Sequence, residues 1–210
     1  MTLPVLRTER LLLEPVGAEH RDLLVGLNAD PEVMRFLLGR AATPTETDAE
    51  WERRLLRQSD PARGLGYWAG SVDGAFVGWW SASAFADDPT TAGVGYRLVR
   101  AAWGRGLATE GARAMVEQAF SCPDVQRVVA STMAVNTRSR AVLTAAGFSH
   151  VDSWVEQWDD PLPGAEQGEV LYEVRRDVRR SWVGTDRPLL DGHELPSHPS
   201  WVSINCPVSA

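Results

Sequence analysis

A mixed α/β fold is the class this sequence predicts, and three observations predict it. Strand-like runs alternate with segments of helical period along most of the chain. A strand-like stretch, Gly93 to Val99, leads into Trp103-Gly104-Arg105-Gly106-Leu107-Ala108-Thr109-Glu110, and a helical pattern leads out. The length of 210 residues suits one domain burying about 70% of its unfolded surface.

In chain order, Leu6 to Val16 reads as a first strand around the apolar run Leu11 to Leu13. Ala18 to Leu27 and Pro31 to Leu38 read as short helices, the second opened by an Asp30 cap and a proline at the first position. Thr45 to Gln58 predicts a further helix, charged along one face by Glu46, Glu50, Glu52 and Arg53. Two strands follow, Gly66 to Val72 and Ala75 to Ser83, joined by the hairpin-type turn Asp73-Gly74. Ala86 to Thr91 is a loop and Ala92 to Val99 a strand. From Gly106 to Phe120, the residues Ala108, Ala112, Met115 and Ala119 form one helical face.

Gln126 to Val135, rich in Val and Thr, is a strand. Thr137 to Ala146 is a helix capped by Asn136 and stopped by Gly147. Phe148 to Trp158 and Gly168 to Val174 complete the strands. The expected domain spans residues 1–178. Residues 179–210, broken by Pro188, Pro196, Pro199 and Pro207, are expected to form an irregular tail docked by Leu189, Leu190, Trp201 and Ile204.

Composition removes several function classes. No run of about 18 apolar residues occurs, so no membrane-spanning helix is expected. Met1 to Arg10 lacks a basic region followed by an apolar core, and reads as no secretion signal. Cys122 and Cys206 are the two cysteines, which points to a reducing compartment, and the expected location is the cytoplasm. The net charge of −7, without a basic run, gives no support for nucleic-acid binding. All 21 positive side chains are arginine. Arginine cannot form a Schiff base, which closes lysine-dependent pyridoxal chemistry to this chain. The phosphate loop G-x-x-x-x-G-K-S/T is closed for the same reason.

The two glycines of the Trp103–Glu110 stretch permit a tight turn that brings backbone N–H groups close to a ligand. The free N–H groups and positive dipole end of the following helix favour phosphate. This is a candidate diphosphate cradle.

The strand–loop–helix unit resembles the Gcn5-related N-acetyltransferase (GNAT) superfamily, whose acyl-CoA loop has the form Q/R-x-x-G-x-G/A. Gly106 and Ala108 fit that form, while Trp103 stands in place of Gln or Arg. The substitution resembles the RimJ/RimL-type branch, in which W-G-x-G-x-A-T-E is familiar. Leu6-Arg7-Thr8-Glu9-Arg10-Leu11-Leu12-Leu13, the pair Gly95-Tyr96, and Asn136-Thr137-Arg138-Ser139 followed by Gly147-Phe148 resemble three more segments of that branch. The likeness covers about residues 5 to 176.

The resemblance implies a single domain with a central mixed sheet of six to seven strands, flanked by about four helices. Two splayed parallel strands would form the acyl-CoA cleft. The backbone of Leu98, Val99 and Arg100 would pair with the pantetheine arm. The N–H groups of Gly104, Arg105, Gly106, Leu107, Ala108 and Thr109 would hold the diphosphate, with the Arg105 side chain adding charge. Asn136 would bind the pantetheine or orient the acceptor. Acetyl-CoA is the implied co-substrate, with no metal. The implied partner is an amine acceptor, either a peptide or protein N-terminus or a small-molecule amine. A homodimer is allowed, and neither nucleic acid nor membrane is expected.

The chemistry asks for few groups. A thioester is already activated, so a positioned neutral amine attacks it directly, and a backbone N–H near Leu98 to Arg100 can polarise the carbonyl. An α-amino group has a pKa of about 7.7–8.0, against about 10.4 for lysine, so it needs only a modest base. The tyrosine that many superfamily members place on the helix after the Asn is missing. Ser139 is the hydroxyl left to act as general acid, or else it merely supports the first turn of that helix. Gly93 and Val94 stand where some members carry a glutamate, and Glu156, in the strand after Gly147-Phe148 and close to where the RimJ/RimL-type branch carries a carboxylate, is the base that the resemblance implies, ahead of Asp87 and Asp88.

Other features have plainer explanations. His193-Glu194-Leu195-Pro196-Ser197-His198 is no zinc-protease motif, because its histidines are five apart and Pro196 breaks the helix they need. Glu110 reads as a first-turn carboxylate on the helix dipole. Trp68, Trp79 and Trp80 read as core or acceptor-cleft walls. The expected activity is acetyl-CoA-dependent N-acetyl transfer to a primary amine. The alternative is an acyl-CoA-binding module of the same fold that has lost catalysis.

Overall fold

A computed structural model describes residues 2–177. The tail residues discussed above, the His193–His198 segment and Cys206 lie outside this range. One eight-stranded sheet organises the described residues, in the order β1-β2-β3-β4-β5-β6-β8-β7. Its strands are β1 (Leu6–Arg7), β2 (Leu12–Pro15), β3 (Gly66–Val72), β4 (Ala75–Ala84), β5 (Thr91–Leu98), β6 (Arg127–Met133), β7 (Ser149–Trp154) and β8 (Glu169–Arg175). Four α-helices flank it: α1 (Arg21–Asn28), α2 (Pro44–Arg57), α3 (Leu107–Ser121) and α4 (Thr137–Ala145). Every neighbouring pair is antiparallel except β5 and β6. No helix among the described residues is long and apolar enough to cross a membrane.

Both faces of the sheet are covered, and the aromatic strands alternate accordingly. Trp68 of β3 and Trp80 of β4 point into the larger core, where α3 contributes Ala112 and Met115 and α4 contributes Leu143. Their neighbours Tyr67 and Trp79 point the opposite way, into a second core with Leu24 and Leu27 of α1 and Trp51 of α2. This is the period-2 alternation of a strand covered on both sides.

Several expectations need correction, among them the strand count, which is eight rather than six to seven because the first expected strand is two. The expected single strand from Leu6 to Val16 is a hairpin of β1 and β2. The chain turns at Thr8, whose amide donates to the Leu11 carbonyl (3.0 Å) while its hydroxyl accepts from the Leu11 amide (2.9 Å). Glu110 of α3 locks this turn by accepting from the Thr8 hydroxyl (2.5 Å), the Arg10 amide (2.8 Å) and Arg10 Nε (2.6 Å). Partial burial works against its charge, but the Thr8 and Arg10 hydrogen bonds hold the carboxyl below its ordinary range.

The expected helix from Pro31 to Leu38 is a series of turns. Such a short segment does not sustain a helix alone, and this one is pinned at both ends. Asp30 is held by Arg100 Nε (2.6 Å), and the Met34 carbonyl takes the amides of Leu37, Leu38 and Gly39. The expected strand from Phe148 to Trp158 ends at Trp154, because its partner β8 begins opposite it at Glu169. Glu156 therefore stands on a loop.

On α2, Glu50 does not lie on a solvent face. It shares the inward face with Thr47, Trp51 and Arg54, and contacts Arg97 of β5. Thr43 caps this helix, and Thr43 and Glu46 form a reciprocal capping box.

α3 lies against β4 at Gly111. A Cβ there would stand 2.3 Å from Nε1 and 2.4 Å from Cε2 of the fully buried Trp80 indole. Overpacking of this kind costs about 3 kcal/mol at the upper end, while alanine returns about 1 kcal/mol of helix propensity. Gly111→Ala is expected to lower stability by about 2 kcal/mol net in urea unfolding. An unchanged midpoint would show that the indole yields.

Candidate active site

β5 and β6 run parallel but pair only from Thr91 to Gly93 and from Arg127 to Val129. Beyond those residues they diverge without pairing to each other, and a cleft of about 1590 Å³ opens between Val94–Leu98 and Ala130–Met133. The register explains the opening. β5 stays bonded to β4 as far as Leu98, and β6 stays bonded to β8 as far as Met133, so each strand follows its own partner away from the other.

At one end of the cleft lies the glycine loop. Gly104 (φ +71°) and Gly106 (φ +77°) both adopt the left-handed region that glycine tolerates best. The first intrahelical bond of α3 runs from the Glu110 amide to the Gly106 carbonyl (3.0 Å). The amides of Leu107, Ala108 and Thr109 therefore precede it as free helix-end donors. All three residues line the cleft together with Gly104 and Gly106. Arg105 is exposed on the outer side, and its carbonyl accepts from Arg10 Nη1 (2.8 Å).

Trp103 has a clear role in the loop. Its indole donates to the Leu98 carbonyl (2.9 Å), and the Arg138 guanidinium stands 5.3 Å from its ring centre. The tryptophan thus ties the end of β5 to the start of α4. Leu98 lines the cleft, whereas Val99 and Arg100 lie just past it. The Val99 amide donates to Val77 of β4 (3.1 Å), and the Arg100 side chain is engaged with Asp30.

Asn136 and Ser139 come together at the start of α4, and both line the cleft. Asn136 caps the helix by accepting from the Ser139 amide (3.2 Å). The Ser139 hydroxyl is free of that duty and lies 3.0 Å from the phenol oxygen of Tyr96, which also reaches the Ser139 carbonyl (3.2 Å). Burial pushes the Tyr96 phenol up to about 12, against the opposing pull of the Ser139 bond, so the phenol keeps its proton at neutral pH. Tyr96 enters the sequence argument only through its Gly-Tyr pair. Its contact with Ser139 crosses 43 positions of chain and leaves no local trace.

The far wall of the cleft includes Glu156 on the loop after β7 and Glu169 at the head of β8. Sequence reasoning misses Glu169. Neither carboxylate has a hydrogen-bond donor or an arginine against it among the described residues. Burial and the neighbouring Glu156 carboxylate push Glu169 up to about 7.

Asp88 turns its own loop instead, accepting from the Thr90 and Thr91 hydroxyls (2.6 Å each). Trp79 forms part of the cleft wall, while Trp68 and Trp80 are core. Among the described residues, no three His, Cys, Asp or Glu side chains gather in a metal-holding group.

Residues 10–149 match the family model described as an acetyltransferase (GNAT) domain. The chain is 36% identical to an FsC-acetyl coenzyme A-N(2)-transacetylase of Aspergillus fumigatus, over 95% of this chain and 87% of the relative. Among solved structures it is similar to a RimL ribosomal L7/L12 α-N-protein acetyltransferase in complex with coenzyme A. That likeness has a TM-score of 0.68 and 19% identity, over 84% of this chain and 99% of the other. An aminoglycoside acetyltransferase in complex with coenzyme A gives a TM-score of 0.65 and 17% identity, over 82% and 99%.

Proposed function

The chain belongs to the GNAT acetyltransferase family, and from that premise we propose that it moves an acetyl group from acetyl-CoA to a primary amine by direct attack in a ternary complex. The observation that carries this reading is the divergence of β5 from β6 above a helix end with free amides. A cleft of about 1590 Å³ exceeds the roughly 300–1,000 Å³ of a single small-ligand site, which suits two substrates held side by side.

In this reading the edge of β5 that diverges from β6, as far as Leu98, receives the pantetheine arm, and the amides from Gly104 to Thr109 receive the diphosphate. Ser139, backed by Tyr96, protonates the leaving thiolate. A carboxylate on the far wall, where Glu156 and Glu169 stand, takes the amine proton. Val99 and Arg100 contribute by anchoring the strand end, and Asn136 by orienting α4.

Trp103 and the Asn136–Ser139 cap support placing the chain in the RimJ/RimL-like branch, and a composition with two cysteines supports action in a reducing compartment such as the cytoplasm. The acceptor belongs to the range spanned by the relatives, one named for transfer to an N(2) nitrogen and another for a protein α-amine.

The test is free thiol released from acetyl-CoA with a panel of peptides bearing free N-termini and of small amines. Gly106→Val runs beside wild type. A β-branched residue at φ +77° is strained by about 1–3 kcal/mol. The KM for acetyl-CoA is therefore expected to rise about tenfold or more, with kcat far less affected. An unchanged KM would remove the cradle from the proposal. Calorimetric CoA binding without turnover on any amine would favour the non-catalytic module, and absence of CoA binding would overturn the reading altogether.

A further inference from the structure

Of the two far-wall carboxylates, Glu156 is exposed on a loop and Glu169 is half-buried on a strand. Glu169 is held from both sides, opposite Met133 of β6 and opposite Trp154 of β7. Its backbone is therefore as rigid as the sheet, which a group that must meet a reacting atom requires. The approach to it is also specified. Gly168, at φ +79°, brings the chain so close to Trp154 that a Cβ would stand 2.1 Å from its carbonyl oxygen.

Met133 is the last residue of β6, the strand whose diverging end lines the cleft, and Asn136 and Ser139 follow three and six residues later. Glu169 thus borders the carboxyl end of the diverging parallel strand, the end at which α/β sheets present ligands.

We propose that Glu169 is the catalytic base that takes the proton from the attacking amine, and that Glu156 tunes it rather than serving as the base itself. The assignment rests on the acetyltransfer reading. The amine nitrogen forms its bond to the thioester carbonyl carbon while the carbonyl electron pair moves to oxygen. Glu169 accepts the nitrogen's proton. Collapse breaks the carbon–sulfur bond, and the departing thiolate takes a proton from the Ser139 and Tyr96 hydroxyl pair. Solvent then exchanges one proton at each site, so the cycle balances.

An ordinary glutamate, at about 4.3, is a weak acceptor for the proton on the cationic nitrogen that attack creates. With Glu169 raised to about 7 by burial and by Glu156, it is a stronger base. A base poised near the working pH is what proton transfer at neutral pH favours. Among the described residues, few charged groups stand on the elements around it. β6 offers the uncharged Met133 and β7 offers Trp154, while the loop between β7 and β8 adds Glu156, Asp159 and Asp160 to the cleft, and α4 adds Arg138.

The test is the pH profile of kcat/KM for wild type, Glu169→Gln and Glu156→Gln on an amine that wild type acetylates. Carboxyl ¹³C NMR of glutamate-labelled free enzyme runs in parallel, because the amine itself also titrates. Wild type is expected to show one glutamate resonance titrating near neutrality, absent from E169Q. In E156Q that resonance and the acid limb of the profile move to lower pH, since a neighbouring negative charge has been removed.

E169Q is expected to lose about 10²-fold in kcat/KM at neutral pH, while CoA binding by calorimetry is unchanged. An E169Q profile that superimposes on wild type overturns the assignment, as does a wild-type spectrum without that resonance. Absence of wild-type turnover on every amine overturns the acetyltransfer reading and the catalytic role with it. Those two failures are told apart by wild-type turnover alone.

Discussion

Replacing Glu50 with alanine is expected to cost about 3–5 kcal/mol of folding stability, the usual consequence of breaking a buried ion pair by removing one partner. Among the described residues, Glu50 is the carboxylate that serves two buried guanidiniums. Arg54 reaches it through Nε (3.0 Å) and Nη2 (2.8 Å), and Arg97 through Nη1 (3.2 Å) and Nη2 (3.0 Å). Asn28 completes the cluster, donating to Glu50 (3.0 Å) and accepting from Arg97 (2.6 Å). The Trp79 ring lies 5.2 Å from the Arg54 guanidinium and 5.3 Å from that of Arg97.

Without Glu50, two cations would face each other inside an aromatic core, with Arg97 Nε already lacking a hydrogen-bond partner among the described residues. Domains of this size hold only about 5–15 kcal/mol in total, so the variant should melt far below wild type. Urea unfolding measures it, and a loss under 1 kcal/mol would mean that water reaches the cluster.

The pH dependence has a definite sign. Burial acts to raise the Glu50 carboxyl, but Arg97 and Arg54 outweigh it and hold it well below the ordinary range. A depressed carboxyl contributes stability above its unfolded pKa, about 4.3, and that contribution fades as pH falls toward the folded value. Wild-type stability should therefore decline from about pH 5 downward, and the alanine variant should decline less steeply.

Arg97 also lines the cleft from β5, so the cluster couples α2 to the strand on which the site is built. Removing all three charges together, as Glu50→Leu with Arg54→Met and Arg97→Met, should be far less costly than the single change.

What the sequence revealed and what it hid divide along chain distance. The glycine loop is legible because its conformation is local. Gly104 and Gly106 need positive φ, and the helix that follows has its own period. The α4 cap is legible for the same reason, since Asn136 and Ser139 are three residues apart.

The turn at Thr8 is hidden because Glu110, which locks it, lies 102 positions away. Glu50 reads as a surface charge because its partner Arg97 is 47 positions distant. One signal was present there: an arginine in a strand otherwise made of small and apolar residues requires a buried partner. Glu169 carries no such signal. Its environment is set by the loop that returns Glu156 to it, and a Glu at the head of a strand is unremarkable.

Ser139 is where the chemistry can be tested most directly. Ser139→Ala is expected to lower kcat by about 10²-fold while leaving the KM for acetyl-CoA nearly unchanged. General acid catalysis contributes about 10²–10⁴-fold. The lower end applies because a thiol with a pKa near 8.5 already leaves readily as thiolate.

Tyr96→Phe removes the phenol 3.0 Å from the Ser139 hydroxyl but leaves the serine in place, so its loss should be smaller, about tenfold. Two groups working as one unit are not additive. The double variant should therefore fall little below S139A alone. If Tyr96 merely packed against α4, its removal would instead cost about 1 kcal/mol of stability, the usual worth of a hydrogen bond, at unaltered kcat. Steady-state kinetics on the four proteins separates these cases. Wild-type kcat in S139A would mean that the thiolate departs unassisted and that the hydroxyl pair belongs to the architecture of α4.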